Sequence, residues 1–274
     1  MLVGNAVYRH QLRAEHGLAF HVQAGTESLL FDTGQSDLVV QNARELSLDL
    51  SRISAVALSH GHYDHTGGLR AVWEMAPHAT LHAHVAALGS HFVRYSGGLI
   101  RDVGITKRNR GAARAFARAE PVSTTPAEVV NGVFLTGEIP RETDFEDAGG
   151  PFLLDETGTQ PDPINDDQAL FFDTPNGAVV LLGCAHAGVV NTLRQVQRLL
   201  VNRPIHAVIG GMHLLTASEE RMERTVAALR EISVQCLVPA HCTGASSTRR
   251  LWQEFPTICQ DCAVGSQFVF QRSP

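Results

Sequence analysis

Residues 59–69 read Ser-His-Gly-His-Tyr-Asp-His-Thr-Gly-Gly-Leu, and four metal-binding side chains, His60, His62, Asp64 and His65, fall within six positions of one another. Imidazoles with one carboxylate suit zinc, iron or manganese in a site that keeps an open coordination position. In an extended segment His60 and His62 point the same way, and the turn that follows can aim Asp64 and His65 at a second point. A divalent ion held there would ionise a water near neutral pH, which is the chemistry of metal-assisted hydrolysis.

The elements around this run place it on a sheet rim. An apolar strand is predicted at Ile53–Leu58 and a helix over Gly68–Met75, so the histidines fall at the carboxyl end of a strand, where ligands collect in α/β folds. Upstream, Leu18–Gln23 and Ser28–Asp32 read as a hairpin and Ser36–Leu46 as a helix; Ala79–His84 reads as a strand. The last third alternates cleanly. Ala169–Asp173 and Ala178–Leu182 flank a Pro-Asn-Gly turn, Val189–Leu200 is helical, and His206–Ile209 is a strand. A helix over Ser218–Ile232 has Ser218 as its cap. A strand at Leu237–Pro239, a helix at Ser246–Phe255 and a final strand at Gln267–Phe270 complete the order. Val129–Leu135 reads as one strand. Residues 89–128, with a short helix at Ala112–Ala119, and residues 140–167 read as two long loops. Each end of the chain therefore runs hairpin, helix, strand, then a His-bearing turn, which suggests two similar halves packed sheet on sheet with helices outside.

The run at 58–69 resembles the His-x-His-x-Asp-His signature of the metallo-β-lactamase superfamily. Phe31-Asp-Thr-Gly-Gln35, Glu15-His-Gly-Leu18, Gly183-Cys-Ala-His-Ala-Gly188, Gly210-Gly-Met-His-Leu214 and His241-Cys-Thr-Gly244 extend the resemblance over most of the chain. Together they are similar to a subfamily of metal-dependent hydrolases that resemble dihydropterin-ribofuranosyl-aminobenzene-phosphate synthase. The resemblance implies one α/β domain over residues 1–274, a four-layer αββα sandwich of two mixed sheets with outer helices. It implies His60, His62, Asp64, His65, His186 and His241 as metal ligands for one or two divalent ions, zinc first, with manganese or iron as alternatives. Asp32 would support the site from behind, and Asp64 would also accept a proton from the nucleophilic water.

Two positions depart from the superfamily pattern. Cys184 stands near the place of the usual bridging Asp, and the loop before its hairpin carries Asp166 and Asp167 instead of a His. Cys184 reads either as a thiolate ligand or as a small buried residue, and Asp167 either as a ligand or as a supporting acid. His213 follows Gly210-Gly211 at a strand end, so it should reach the same rim and serve catalysis by contacting substrate or developing negative charge. The arginines between Arg94 and Arg118 could cap the site and hold an anion, or form a solvated loop. Cys259 and Cys262 make a lone Cys-x-x-Cys with no second pair, so no structural zinc is expected there. His10, His16, His21, His78, His82, His84, His91 and His206 receive no metal role.

Composition bounds the rest. Histidine is abundant, 14 of 274 residues, in keeping with a metal centre. Lys+Arg of 22 against Asp+Glu of 28 leaves a net charge of −6, which argues against nucleic acid as the partner. No apolar run is long enough to suggest a membrane span. The five cysteines all follow residue 183 and do not form a secreted disulfide framework, so a reducing cytoplasm is expected. The expected partner is a small anionic substrate. The alternative reading is a regulatory or ligand-binding protein of the same fold, with metal bound and little turnover.

Overall fold

The computed structural model describes residues 1–116, 118–122 and 125–271. The first sheet is built from β1 (Phe20–Ala24), β2 (Glu27–Phe31), β3 (Ala55–Ala57), β4 (Thr80–His84) and a fifth strand, Arg118–Val122, in that order. The first two strands are antiparallel and the others join in parallel. Parallel neighbours need crossovers, and these are helices α1 (Leu38–Glu45), α2 (Tyr63–Thr66), α3 (Leu69–Met75) and α4 (Lys107–Ala115). Two short strands, β5 (Phe92–Arg94) and β6 (Ile100–Asp102), precede Arg118–Val122, which is therefore β7.

The second sheet uses β8 (Ala127–Val130), β9 (Val133–Leu135), β11 (Ala169–Thr174), β12 (Gly177–Leu182), β13 (Ile205–Gly211) and β14 (Cys236–Ala240), in the order β14-β13-β12-β11-β9-β8. The short β10 (Phe152–Leu153) joins β5 and β6 in a small third sheet. Helices α5 (Val189–Leu199), α6 (Glu219–Ile232) and α7 (Ala245–Glu254) follow β12, β13 and β14.

Side-chain alternation divides the strands between cores. Leu29, Phe31, Ala55 and Ala57 meet Val179, Leu181, Ala207, Ile209 and Val238 in one cluster between the two sheets. The intervening residues face outward: Leu30 and Val56 pack under α1 and α3, and Val180, Leu182 and Leu237 pack under α5, α6 and α7. The result is the four-layer αββα sandwich expected from the sequence, with mixed sheets inside and helices outside.

The structure corrects several elements. Residues 89–128 are not a plain loop but hold β5, β6, α4 and β7. β5 and β6, of three residues each, are too short to show a period, which hid them. The helix expected at 112–119 begins earlier, at Lys107, where the Thr106 hydroxyl accepts the Asn109 N–H; Ala117, inside that expected span, lies outside the described residues. Val129–Leu135 breaks into a hairpin at Asn131-Gly132. Residues 267–270 form no ladder, although Phe268 and Phe270 still pack against the inter-sheet core. Ser218 caps α6 by accepting the Arg221 N–H, as its sequence position suggests.

Candidate metal centre

Four strand ends deliver the site. The turn after β2 brings Asp32, the turn after β3 brings His60 to His65, the turn after β12 brings Cys184 and His186, and the turn after β14 brings His241. Asp32, Ala185, His213 and His241 all adopt left-handed backbone, at φ of 61°, 54°, 46° and 49°. Such conformations cost energy in non-glycine residues and gather at functional sites. The packing is close: a Cβ on Gly183 would stand 2.1 Å from Ser59 Oγ.

Four of the imidazoles are oriented by a partner on Nδ1. Asp32 Oδ1 accepts the Ser59 N–H, and its Oδ2 accepts both the Ser59 hydroxyl and His65 Nδ1, each at 2.7 Å. Ser59 Oγ in turn pairs with His60 Nδ1 at 2.9 Å. His186 Nδ1 donates to Ala148 O at 2.8 Å, and His241 Nδ1 to Asn5 Oδ1 at 3.0 Å. With the protons held on Nδ1, the Nε2 lone pairs of these four residues face inward.

Those inward atoms crowd together. His60 Nε2 lies 3.0 Å from His62 Nδ1, His65 Nε2 lies 3.3 Å from His241 Nε2, and Cys184 Sγ lies 3.2 Å from His65 Nε2. Asp64 Oδ2 is 3.2 Å from His241 Nε2 and 3.7 Å from His65 Nε2. His62 Nε2 and His186 Nε2 are buried without any hydrogen-bond partner. Imidazole nitrogens packed this closely need either shared protons or a cation between them. Donors about 2.0–2.1 Å from a tetrahedral zinc stand roughly 3.3–3.4 Å apart. The donor types and spacings therefore fit a divalent metal.

Among the described residues, donor atoms within 4.8 Å of one another form five groups: His60, His62 and His186; His60, His65 and Cys184; Cys184, His186 and His213; Cys184, His241 and Cys242; and His16, Asp64 and His241. Cys184 belongs to three of them and so sits between the two histidine groups. The six residues expected as ligands are brought to one place. His16, to which the sequence gave no metal role, is brought there as well, with Nε2 3.1 Å from Asp64 Oδ2. Asp167 joins none of these groups.

Electrostatics separate the two halves of the cluster. Burial holds His60 and His186 well below the ordinary imidazole value and His62 down at about 3, so these three stay neutral as ligands require. Burial opposes charge on His65 as well, yet the carboxylates of Asp32 and Asp64 raise it to about 9. Burial would raise Asp64, but His65, His16 and His241 hold its carboxyl well below the usual range. Burial pushes the Cys184 thiol up and the Asp167 carboxyl to about 7.

A cavity of about 830 Å³ opens over the centre, lined in part by Tyr8, Tyr95, Phe152, His213, Thr248 and Trp252. Among the described residues no lysine or arginine lines it. The segment around Arg94–Arg118 does reach the cavity, but through Val93, Tyr95 and Val103. Three of its arginines are used elsewhere: Arg94 donates to Gly158 O, Arg110 to Gly89 O, and Arg118 pairs with Glu120; Arg101 stacks over Tyr95, 5.5 Å from its ring centroid. His213 arrives from the end of β13 with its ring centroid 4.1 Å from that of His186 and its Nδ1 buried and unpartnered. His84 is engaged by Glu138 and His91 by Asp162. Cys259 and Cys262 are free thiols outside the cluster.

Sequence reasoning missed Asn5, Ala148 and Cys242. Asn5 and Ala148 are distant in sequence from the residues they serve. Cys242 lies next to His241, and it accepts the His213 N–H at 3.3 Å.

A two-sheet sandwich with histidines and a carboxylate gathered on one rim defines a metallo-β-lactamase fold. The family model of the metallo-beta-lactamase superfamily matches residues 12–202, and the chain belongs to that superfamily. It is 27% identical over 260 residues to 7,8-dihydropterin-6-methyl-4-(beta-D-ribofuranosyl)-aminobenzene-5'-phosphate synthase of Methanocaldococcus jannaschii, covering 91% of this chain and 88% of that protein. A metal-dependent hydrolase of the beta-lactamase superfamily superposes with a TM-score of 0.83 at 30% identity, over 98% of both chains. Zn²⁺-bound PqqB from Methylobacterium extorquens shares the fold at 16% identity and a TM-score of 0.57, over 92% of this chain and 87% of that one. Among the described residues, no helix is long and apolar enough to cross a membrane.

Proposed function

We propose that the chain is a metal-dependent hydrolase acting on a small anionic ester or phosphate-bearing substrate, with two divalent ions, zinc foremost. The observation that carries this reading is the convergence of imidazole nitrogens at 3.0–3.3 Å, together with His62 Nε2 and His186 Nε2 buried and unpartnered beside them. His60, His62 and His186 would hold one ion, and Asp64, His65 and His241 the other. Cys184 forms close groups with His60 and His65, with His186 and with His241, so its sulfur could serve either ion. Bound ions would supply a water that ionises near neutral pH and a Lewis acid for the scissile oxygen.

The chain's own residues do the rest. Asp64 is buried and held anionic, so its carboxylate can take a proton from the attacking water. His213 lines the cavity, and its imidazole can donate to an oxygen that gains charge. With no lysine or arginine on the cavity wall, an anionic substrate must be met by the metal centre, His213 and the amino end of α7 at Gly244 and Ala245. Tyr8, Tyr95 and Phe152 offer faces for a planar ring, and the likeness to a pterin-phosphate synthase puts phosphate-bearing pterins first among substrates to try.

The test is metal analysis combined with turnover on phosphodiesters, phosphomonoesters, lactones, thioesters and pterin phosphates. Hydrolysis that disappears on chelation and returns with zinc or manganese supports the reading. Full metal occupancy with no turnover on any of them overturns it in favour of a ligand-binding or regulatory role.

A further inference from the structure

Three consecutive residues, Asp166, Asp167 and Gln168, lie in the loop that enters β11. Each bonds the backbone of a segment that carries the histidines. Asp166 Oδ2 accepts the Gly61 N–H at 2.7 Å, between His60 and His62. Asp167 Oδ2 accepts the Ala187 N–H at 2.8 Å, one residue past His186. Gln168 donates its backbone N–H to Ser59 O and its side-chain amide to Leu58 O, both at 3.0 Å. The loop thus ties the β3 edge to the β12 edge where His60, His62 and His186 converge.

Hydrogen bonding alone does not account for two charges in this place. Asp166 is 1% exposed and Asp167 2%, and the Oδ1 of each has no partner. A buried carboxylate with an open oxygen costs stability, and asparagine could accept the same N–H bonds without the charge. Two basic groups lie nearby and offset these charges only in part. His91 Nε2 lies 3.7 Å from Asp166 Oδ2, but its Nδ1 is bonded to Asp162 at 2.6 Å. Arg141 donates to His186 O and Pro163 O.

We propose that Asp166 and Asp167 form a buried anionic clamp for metal loading. They are positioning residues: they fix the backbone on both sides of His60, His62 and His186, and they supply counter-charge to the ion those three would hold. The proposal rests on the metal-centre reading above. It makes the charges a burden in the metal-free protein and an advantage in the loaded one, so the two states respond oppositely when charge is removed.

The test uses Asp166→Asn and Asp167→Asn with Asp166→Ala and Asp167→Ala as companions. Zn²⁺ affinity is read by competition with a chromophoric chelator, and metal-free stability by urea denaturation. Each asparagine variant is expected to match or exceed the metal-free stability of the wild type yet bind Zn²⁺ about 10–100-fold more weakly. The alanine variants are expected to lose metal-free stability as well, because the Gly61 and Ala187 N–H groups lose their acceptor. Asparagine variants that bind Zn²⁺ like the wild type, or that lose affinity only in step with lost metal-free stability, overturn the clamp alone. A wild type that takes up no Zn²⁺ overturns the metal centre and the clamp with it.

Discussion

Asp32 is the residue on which the histidine rim rests, and Asp32→Asn isolates its charge. Three donors converge on its fully buried carboxylate: the Ser59 N–H, the Ser59 hydroxyl and His65 Nδ1. Asparagine keeps one accepting oxygen and turns an NH2 toward donors. Bonds to a charged acceptor contribute about 1.5–3 kcal/mol each, so losing one or two should cost roughly 1.5–6 kcal/mol, a large part of the roughly 5–15 kcal/mol that holds a domain together. The cost depends on pH. In the metal-free protein His65 is raised from 6.5 to about 9, burial opposing and Asp32 and Asp64 favouring its charge. A raised histidine stabilises fully below its unfolded value and loses that contribution as pH climbs through the folded value. Over this window the contribution is about 3 kcal/mol. Without the Asp32 charge only Asp64 sustains it, so the decline in stability between pH 6.5 and 9 should become shallower. Urea denaturation of chelator-treated protein at about pH 6 and about pH 9.5 reads both quantities. A variant that loses the same stability at both pH values, or less than about 1 kcal/mol at the lower one, refutes the reasoning.

Further outcomes follow from the same geometry. His213→Ala should lower kcat by about 10²–10³ while metal content, read by elemental analysis, stays constant; loss of metal would assign His213 to the ligands instead. Gly149→Ala should mimic it, since an added Cβ at φ 80° would stand 1.8 Å from His213 Cδ2, and a variant with unchanged kcat would show that His213 need not hold its place. Asn5→Ala removes the acceptor that orients His241 and should weaken binding of the second ion about 10–100-fold in a chelator competition, leaving the first unaffected. His186→Ala should bind one ion in place of two, and retention of both would remove His186 from the site.

Much of the architecture was readable before any coordinates. The hairpins Phe20–Phe31 and Ala169–Leu182, the helices at 189–199 and 219–232, and the strand ending at Leu58 all announce themselves, because period and turn chemistry are local properties. Regions lacking a period were harder. The strands at 92–94 and 100–102 are held by pairing to each other and to 152–153, and the extended run at 267–270 packs on the core without joining a ladder.

The site divides in the same way. The sequence by itself determined the donor types and their grouping: His60, His62, Asp64 and His65 lie on one turn, so no folding is needed to make them neighbours. Only the tertiary structure decided which distant residues complete that group. His186, His241 and Cys184 reach it because β12 and β14 end on the same rim as β3. His16 and Asn5 join because the segment before β1 folds back across β14. Asp166 and Asp167 lie beneath the rim and bond its backbone without joining its donors. The physical reason is that a metal centre requires convergence of lone pairs within a few ångströms, and convergence is set by strand order and loop closure, which local sequence does not encode.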